Sequence, residues 1–211
     1  MPDRIKTIIF DMDGVLIDAK DWHYEALNQA LNHFGYDISR YDHVVTFDGL
    51  PTRKKLEMLS RERGLPVELH TFLNQLKQQY TMEMVHTRCK PRFEHEYALS
   101  RLKADGFQLA VASNSVHRSV EVMMERSGLL SYLDFFVSNE DVKNSKPDPE
   151  IYLVTMSKLG VSPDRCLVLE DNENGIQAAR AAGAHVMVVE SVTDVTYHNI
   201  IAHLQRLQEL A

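Results

Sequence analysis

Short apolar, β-branched runs alternate along this chain with longer stretches of helical period, and that alternation limits the fold more than any other feature. The runs fall at residues 5–10, 107–112, 135–138, 166–169 and 185–189; the first reads Ile5-Lys6-Thr7-Ile8-Ile9-Phe10 and stops at Asp11. Compact runs that are apolar on both sides suit a parallel sheet covered on both faces. Between them, Val120, Met123 and Met124 share one helical face, as do Ile151, Val154, Thr155 and Leu159. Asp148 is the expected N-cap of that second helix, with Pro149 at its first position, where a missing N–H costs nothing. Strand–helix alternation of this kind predicts an α/β fold with a doubly wound, parallel-sheet, Rossmann-like core.

Residues 20–90 break the pattern. Trp22, Ala26, Leu27, Ala30, Leu31 and Phe34 recur at helical spacing, and 54–63 and 68–86 also read as helices, with no buried strand among them. The expectation is an α-helical domain, residues 20–90, inserted into a core built from 1–19 and 91–211, with Pro91 marking the return. Residues 195–210 read as a peripheral helix. The expected cap of the helix at 175–182 is Asn174.

Charge and cysteine content narrow the function classes. The 211 residues hold 23 Lys plus Arg against 30 Asp plus Glu, so the formal charge is 23 − 30 = −7. That balance opposes nonspecific nucleic-acid binding, which depends on basic residues neutralising phosphates. No apolar run approaches the ~20 residues that span a bilayer, and residues 1–10 lack a signal-peptide layout. Cys89 and Cys166 make neither a disulfide framework nor a zinc cluster. A cytoplasmic monomer with no membrane or nucleic-acid partner is expected.

Four polar clusters follow the apolar runs, and in a parallel sheet such loops gather at the C-terminal strand edge, where open α/β folds bind ligands. In Asp11-Met12-Asp13-Gly14, carboxylates two residues apart on extended chain face one side, and their repulsion invites a shared proton or a cation. The pair also fits an ordinary polar turn. Ser113-Asn114-Ser115 precedes a helix, where a hydroxyl beside free N–H groups makes an anion site; simple N-capping by Ser115 is the plainer alternative. Lys146 stands in Asn144-Ser145-Lys146-Pro147-Asp148-Pro149, its backbone restricted by the prolines, although a single lysine is usually surface. Glu170-Asp171-Asn172-Glu173-Asn174-Gly175 offers carboxylates to complete an oxygen shell for Mg²⁺, or is a solvated loop. Each cluster alone is weak; all four in order at successive strand ends are not.

Asp11-Met12-Asp13-Gly14-Val15-Leu16, Ser113-Asn114-Ser115, Lys146-Pro147-Asp148-Pro149 and Leu169-Glu170-Asp171-Asn172-Glu173-Asn174-Gly175-Ile176 resemble the four motifs of the haloacid dehalogenase-like hydrolase superfamily. The inserted helices resemble the cap of its branch holding β-phosphoglucomutase and small sugar-phosphate phosphatases. Asp13 sharpens the likeness, because members that transfer phosphate keep an acid there and dehalogenases do not. The resemblance implies that Asp11 attacks phosphorus and forms an aspartyl-phosphate. It implies Mg²⁺ held by Asp11, the Asp13 carbonyl and Asp171, with Glu170 in support, and Ser113, Asn114 and Lys146 around the phosphoryl group. Asp13 is then the acid for the leaving alkoxide and the base for water.

The same resemblance assigns the choice of substrate to the cap. Gly49-Leu50-Pro51-Thr52-Arg53 is similar to the mutase loop that grips the sugar phosphate, but the mutase's arginine falls on Thr52, with Arg53 one place later. A mutase threonine is replaced by Ala19, while His23 matches a cap-helix histidine and also fits a histidine of an amphipathic helix. These departures favour a Mg²⁺-dependent phosphatase of a small phosphorylated metabolite, with β-phosphoglucomutase chemistry as the alternative. A different class stays open as well: a receiver-like or non-catalytic metal-binding module. Receivers share an acidic strand end, a hydroxyl and a lysine, but are shorter and carry their acidic pair on adjacent residues.

Overall fold

The computed structural model describes residues 5–209; residues 1–4, and Leu210 at the end of the expected C-terminal helix, lie outside the described residues. Strand β1 (Thr7–Phe10) precedes helix α1 (Lys20–Asn32), the single turn α2 (Arg40–Asp42) with its π-helical continuation His43–Phe47, α3 (Thr52–Arg63) and α4 (His70–Arg88). The chain continues as α5 (Phe93–Ala104), β2 (Gln108–Ala112), α6 (His117–Arg126), β3 (Phe135–Val137) and α7 (Glu150–Leu159). It ends with β4 (Cys166–Glu170), α8 (Glu173–Ala181), β5 (His185–Val188) and α9 (Tyr197–Glu209). By internal contacts it forms two units, one of the residues up to Asp18 together with those from Cys89 onward, the other Ala19–Arg88.

The first unit is the expected α/β core. Its five strands lie in the order β3-β2-β1-β4-β5 and every neighbouring pair is parallel. Phe10 on the central strand pairs with Val111 on one side and Leu169 on the other. All four residues of β1 are buried, as a strand covered on both faces requires. Ile8, Ile9 and Phe10 each contribute about 1.5–3 kcal/mol by leaving water. Ile151, Tyr152 and Met156 of α7 and Ala178 and Ala179 of α8 pack with Ile9, Ala110, Val137 and Val168. On α7 the buried face is therefore turned by one residue from the periodic expectation: Tyr152 and Met156 are buried, and Val154 and Leu159 only partly. The chain leaves β1 for β2 and β3, then crosses to β4 and β5 on the other side of β1. The strand order thus switches between β1 and β4, which opens a crevice at their C-terminal ends.

The second unit is helical throughout its regular structure. Its core joins Leu27, Ala30 and Leu31 of α1 to Ile38, Phe47, Leu56, Leu59, Leu65 and Leu73. Of the periodic stripe on α1, Ala26, Leu27, Ala30 and Leu31 are buried, while Trp22 at its start is only partly so. Phe34 lies past the helix, is 39% exposed, and meets Phe72 edge-on. Helix α3 starts two residues early, directly after Pro51, and residues 67–69 form a 3₁₀ turn before α4. Among the described residues no helix is long and apolar enough to cross a membrane.

His43 opens the π-helical turn, buried, with its ring 4.8 Å from that of Tyr24. Burial, then the charge of Lys55, lower its pKa to about 4, against the opposing pull of Asp48. Unfolding therefore takes up a proton here, so stability present above about pH 6.5 is lost as pH falls toward 4, by up to about 3 kcal/mol. In urea titrations across that window, His43→Gln is expected to show a shallower decline of unfolding free energy than the parent. Equal slopes would remove His43 as the source.

Candidate active site

Asp11 follows directly on β1, and its N–H donates to the Leu169 carbonyl at 2.9 Å, which fixes it over the crevice between β1 and β4. The chain then folds back on itself. Leu16 and Ile17 donate to the Met12 carbonyl at 3.0 and 2.9 Å, and Gly14 to Ile17 at 2.7 Å. Gly14 adopts φ +93°, a left-handed conformation that a side chain would strain. The Asp11–Gly14 segment is therefore a built turn at the strand end.

After β2, Ser113 is buried, and its hydroxyl accepts from the Ser115 N–H at 3.1 Å. Ser115 does not cap α6; the capping position is Val116, without a side-chain bond. The Ser115 hydroxyl donates instead to Asp13 Oδ2 at 2.9 Å. Asn114 Oδ1 accepts from the Lys146 backbone N–H at 3.1 Å, so this amide tethers the loop that carries the lysine.

Lys146 is only 3% exposed. Its three ammonium hydrogens have three acceptors: Asp11 Oδ1 at 2.5 Å, Glu170 Oε1 at 2.7 Å and the Ala112 carbonyl at 2.8 Å. The lysine is thus aimed by its acceptors rather than loosely solvated. Burial alone would drive it toward neutrality, but Asp11 and Glu170 outweigh that and hold it well above the ordinary lysine range. Glu170 Oε1 also accepts from the Tyr152 hydroxyl at 2.5 Å, and Oε2 from the Asp171 N–H at 3.2 Å. Nearby caps differ slightly from expectation. Asp148 accepts from Glu150 N–H at 2.9 Å while Pro149 takes the capping position of α7, and Asn172, not Asn174, caps α8.

The electrostatics call for a cation. Burial, then the charge of Glu170, push the Asp11 carboxyl well above its ordinary range; Lys146 opposes them, and Asp171 and Asp13 add to the push. Three carboxylates thus crowd Asp11, with Lys146 opposing them. Oxygens of Asp11, Glu170 and Asp171 lie within 4.8 Å of one another, a hard, anionic donor set that suits a divalent ion such as Mg²⁺. The side chain of Asp13 is not a member of that group; its Oδ2 is turned to Ser115.

In the helical unit, His23 on α1 has Nδ1 3.1 Å from Lys77 Nζ on α4. Lys77 is buried on the stripe Leu73, Lys77, Thr81 and Val85, a signal the sequence reading passed over: a lysine at a core position of an apolar helix face. Gly49 has φ +70° in the turn before Pro51, and Thr52 is the first residue of α3. Arg53 points to Glu57 Oε1 at 2.9 Å with its side chain 88% exposed.

Comparison with known proteins agrees with this geometry. The family model described as haloacid dehalogenase-like hydrolase matches residues 8–189. A phosphorylated carbohydrates phosphatase of Thermotoga maritima is 31% identical over 195 residues, spanning 90% of this chain and 88% of the relative. Fructose-1-phosphate phosphatase YqaB of Escherichia coli is 30% identical over 187 residues, 87% and 95% of the two chains. The crystal structure of a β-phosphoglucomutase from Clostridium difficile matches with a TM-score of 0.82 over 96% of this chain and 98% of that one, at 23% identity, a likeness of fold. With its acidic β1 edge, its buried lysine and a family match that runs through all five strands, this chain belongs to the haloacid dehalogenase-like hydrolases.

Proposed function

We propose that this chain is a Mg²⁺-dependent phosphatase of small phosphomonoesters, sugar phosphates first among them, working in the cytoplasm as a monomer through an aspartyl-phosphate on Asp11. The observation that carries this reading is Lys146 bridging Asp11 Oδ1 and Glu170 Oε1 at the strand-order switch, with Asp171 in reach of both carboxylates. The named activities of the two phosphatase relatives support the substrate class.

Asp11 attacks phosphorus in line, its oxygen forming a P–O bond as the ester P–O bond breaks. Asp13 gives its proton to the leaving alkoxide, which is too basic to depart unaided at neutral pH. In the second step water attacks the aspartyl-phosphate, passes its proton to Asp13, and frees phosphate and Asp11. Ser115 orients Asp13 throughout by its bond to Oδ2. Ser113, Asn114 and the Lys146 ammonium surround the transferring oxygens, the lysine as a fixed positive charge. A divalent ion held by Asp11, Asp171 and the Asp13 carbonyl would offset the repulsion between anionic nucleophile and anionic ester. The helical unit is assigned the choice of substrate, with His23, Gly49, Thr52 and Arg53 as its candidate residues.

Hydrolysis is preferred over sugar-phosphate mutase chemistry because Thr52 stands where the mutase has its arginine for the second phosphate, and Ala19 where it has a threonine. A phosphate-release screen with Mg²⁺ across sugar phosphates and nucleotides tests the reading. β-Glucose 1-phosphate is assayed in parallel for glucose 6-phosphate. Release from sugar phosphates that chelation abolishes is expected. Glucose 6-phosphate without release would favour the mutase, and neither product would favour a binding module.

Asp13→Ala separates proton transfer from charge stabilisation. Turnover of alkyl phosphates is expected to fall by about 10²–10⁴, and that of aryl phosphates much less, because phenolates leave without protonation. Equal losses on both would remove Asp13 from the acid–base role.

A further inference from the structure

Both carboxylate oxygens of Glu170 are hydrogen-bonded. Oε1 accepts from Lys146 and from the Tyr152 hydroxyl, and Oε2 from the Asp171 N–H. Tyr152 lies on α7, fully buried among core side chains, and its phenol donates to Glu170 Oε1 at 2.5 Å. The Tyr152 ring also lies under the Lys146 ammonium, 4.9 Å from its centre. On the far side, Gly175 of α8 leaves the space that the carboxylate fills. A Cβ there would stand 1.8 Å from Oε1, 2.1 Å from Cδ and 2.4 Å from Oε2. Two helices packed on the same sheet therefore set one carboxylate.

We propose that Tyr152 is a positioning residue for phosphoryl transfer: with Gly175 leaving room for the carboxylate, its hydroxyl holds Glu170 in the setting from which Oε1 anchors Lys146 while the carboxylate stays within reach of Asp11 and Asp171. The proposal rests on the phosphatase reading of the site. Without the hydroxyl, Oε1 loses one of its two charge-orienting donors. Glu170 can then turn out of that setting, which leaves the lysine less well aimed and loosens the carboxylate group that would hold a cation. The cost falls on the chemical step more than on substrate capture, because Lys146 meets most charge in the transition state.

Tyr152→Phe keeps the ring and removes only the oxygen. It is expected to melt within about 3 °C of the parent, to lose about tenfold in kcat and to shift KM by less than about threefold. Isothermal titration with Mg²⁺ alone, without substrate, is expected to show a dissociation constant raised by about threefold or more, because one carboxylate of the donor set is no longer held in place. In a Glu170→Gln background, Tyr152→Phe is expected to change kcat by less than about twofold, since its effect runs through that carboxylate. Gly175→Ala pushes the same group from the other side and is expected to lower kcat, although alanine is the better helix former. A Tyr152→Phe protein with kcat and Mg²⁺ constant both within about twofold of the parent would overturn the proposal, as would an undiminished effect beside Glu170→Gln. If the parent released no phosphate, the phosphatase reading would fall, and the Mg²⁺ titration would still decide the positioning claim.

Discussion

Replacing Asp11 with Asn is expected to lower phosphate release by a factor of about 10⁴ or more while leaving the chain folded. The amide fills nearly the same volume in a position only 8% exposed, and its oxygen still accepts from Lys146. What disappears is the anion that attacks phosphorus. Folding does not suffer, because burial and the charge of Glu170 already oppose ionisation of Asp11, with Asp171 and Asp13 adding to them. The variant is therefore expected to melt in metal-free buffer at least as high as the parent. The parent should gain melting temperature with Mg²⁺, and the variant less, having lost one anionic ligand of the proposed set. Phosphate release above about one per cent of the parent rate, after removal of contaminating phosphatases, would take Asp11 out of the nucleophile's role.

The periodic alternation was enough to read the α/β class and to place Asp11, Ser113, Lys146 and Glu170-Asp171 on one edge, because parallel strands force the loops after them to one end of the sheet. That inference needs only backbone geometry. Where the reading slipped, a tertiary partner decided among local options. Ser115 offered a helix cap, a local choice; the hydroxyl went to Asp13, 102 residues away in sequence, and no local rule ranks those two. Asn174 was the expected cap of α8, but the helix starts two residues earlier, at Glu173, and Asn172 caps it. Phe34 continued a stripe that the chain itself does not continue, since Gly35 turns it out of the helix at φ +76°. His43 and Phe47 lie on a π-helical turn, whose period differs from that of an α-helix.

Tyr152 and Lys77 show the opposite difficulty. Both sit at core positions of helices with a regular apolar stripe, where a tyrosine reads as a packed ring and a lysine as an exception. Their meaning lies in the polar atom at the tip. Glu170 for Tyr152 and His23 for Lys77 stand 18 and 54 residues away. Periodicity reports which residues face inward and is silent on what their polar ends meet.

Lys146→Met separates the structural from the chemical part of the site. Methionine matches the length of the stem and keeps the packing, but withdraws the ammonium that bridges Asp11 and Glu170, which are 8% and 1% exposed. Removing one partner of a buried charge cluster leaves the others uncompensated, at a cost of about 3–5 kcal/mol, whereas replacing all partners together can be neutral. For a chain of this size that amounts to a fall in melting temperature of roughly 10 °C. Part of the fall is expected to be recovered by Mg²⁺, which supplies positive charge to the same carboxylates. Turnover is not expected to return with it, and should stay down by about 10³-fold, because no cation between Asp11 and Asp171 replaces a donor anchored on Glu170 and Ala112. Lys146→Arg makes the complementary point. Its charge is kept, but a planar guanidinium cannot direct three converging hydrogens at Asp11, Glu170 and the Ala112 carbonyl in a pocket shaped for a point charge. It should therefore be more stable than Lys146→Met and nearly as inactive. An arginine variant with most of the parent activity would mean that charge alone suffices at this position, and that the threefold anchoring of the ammonium serves folding.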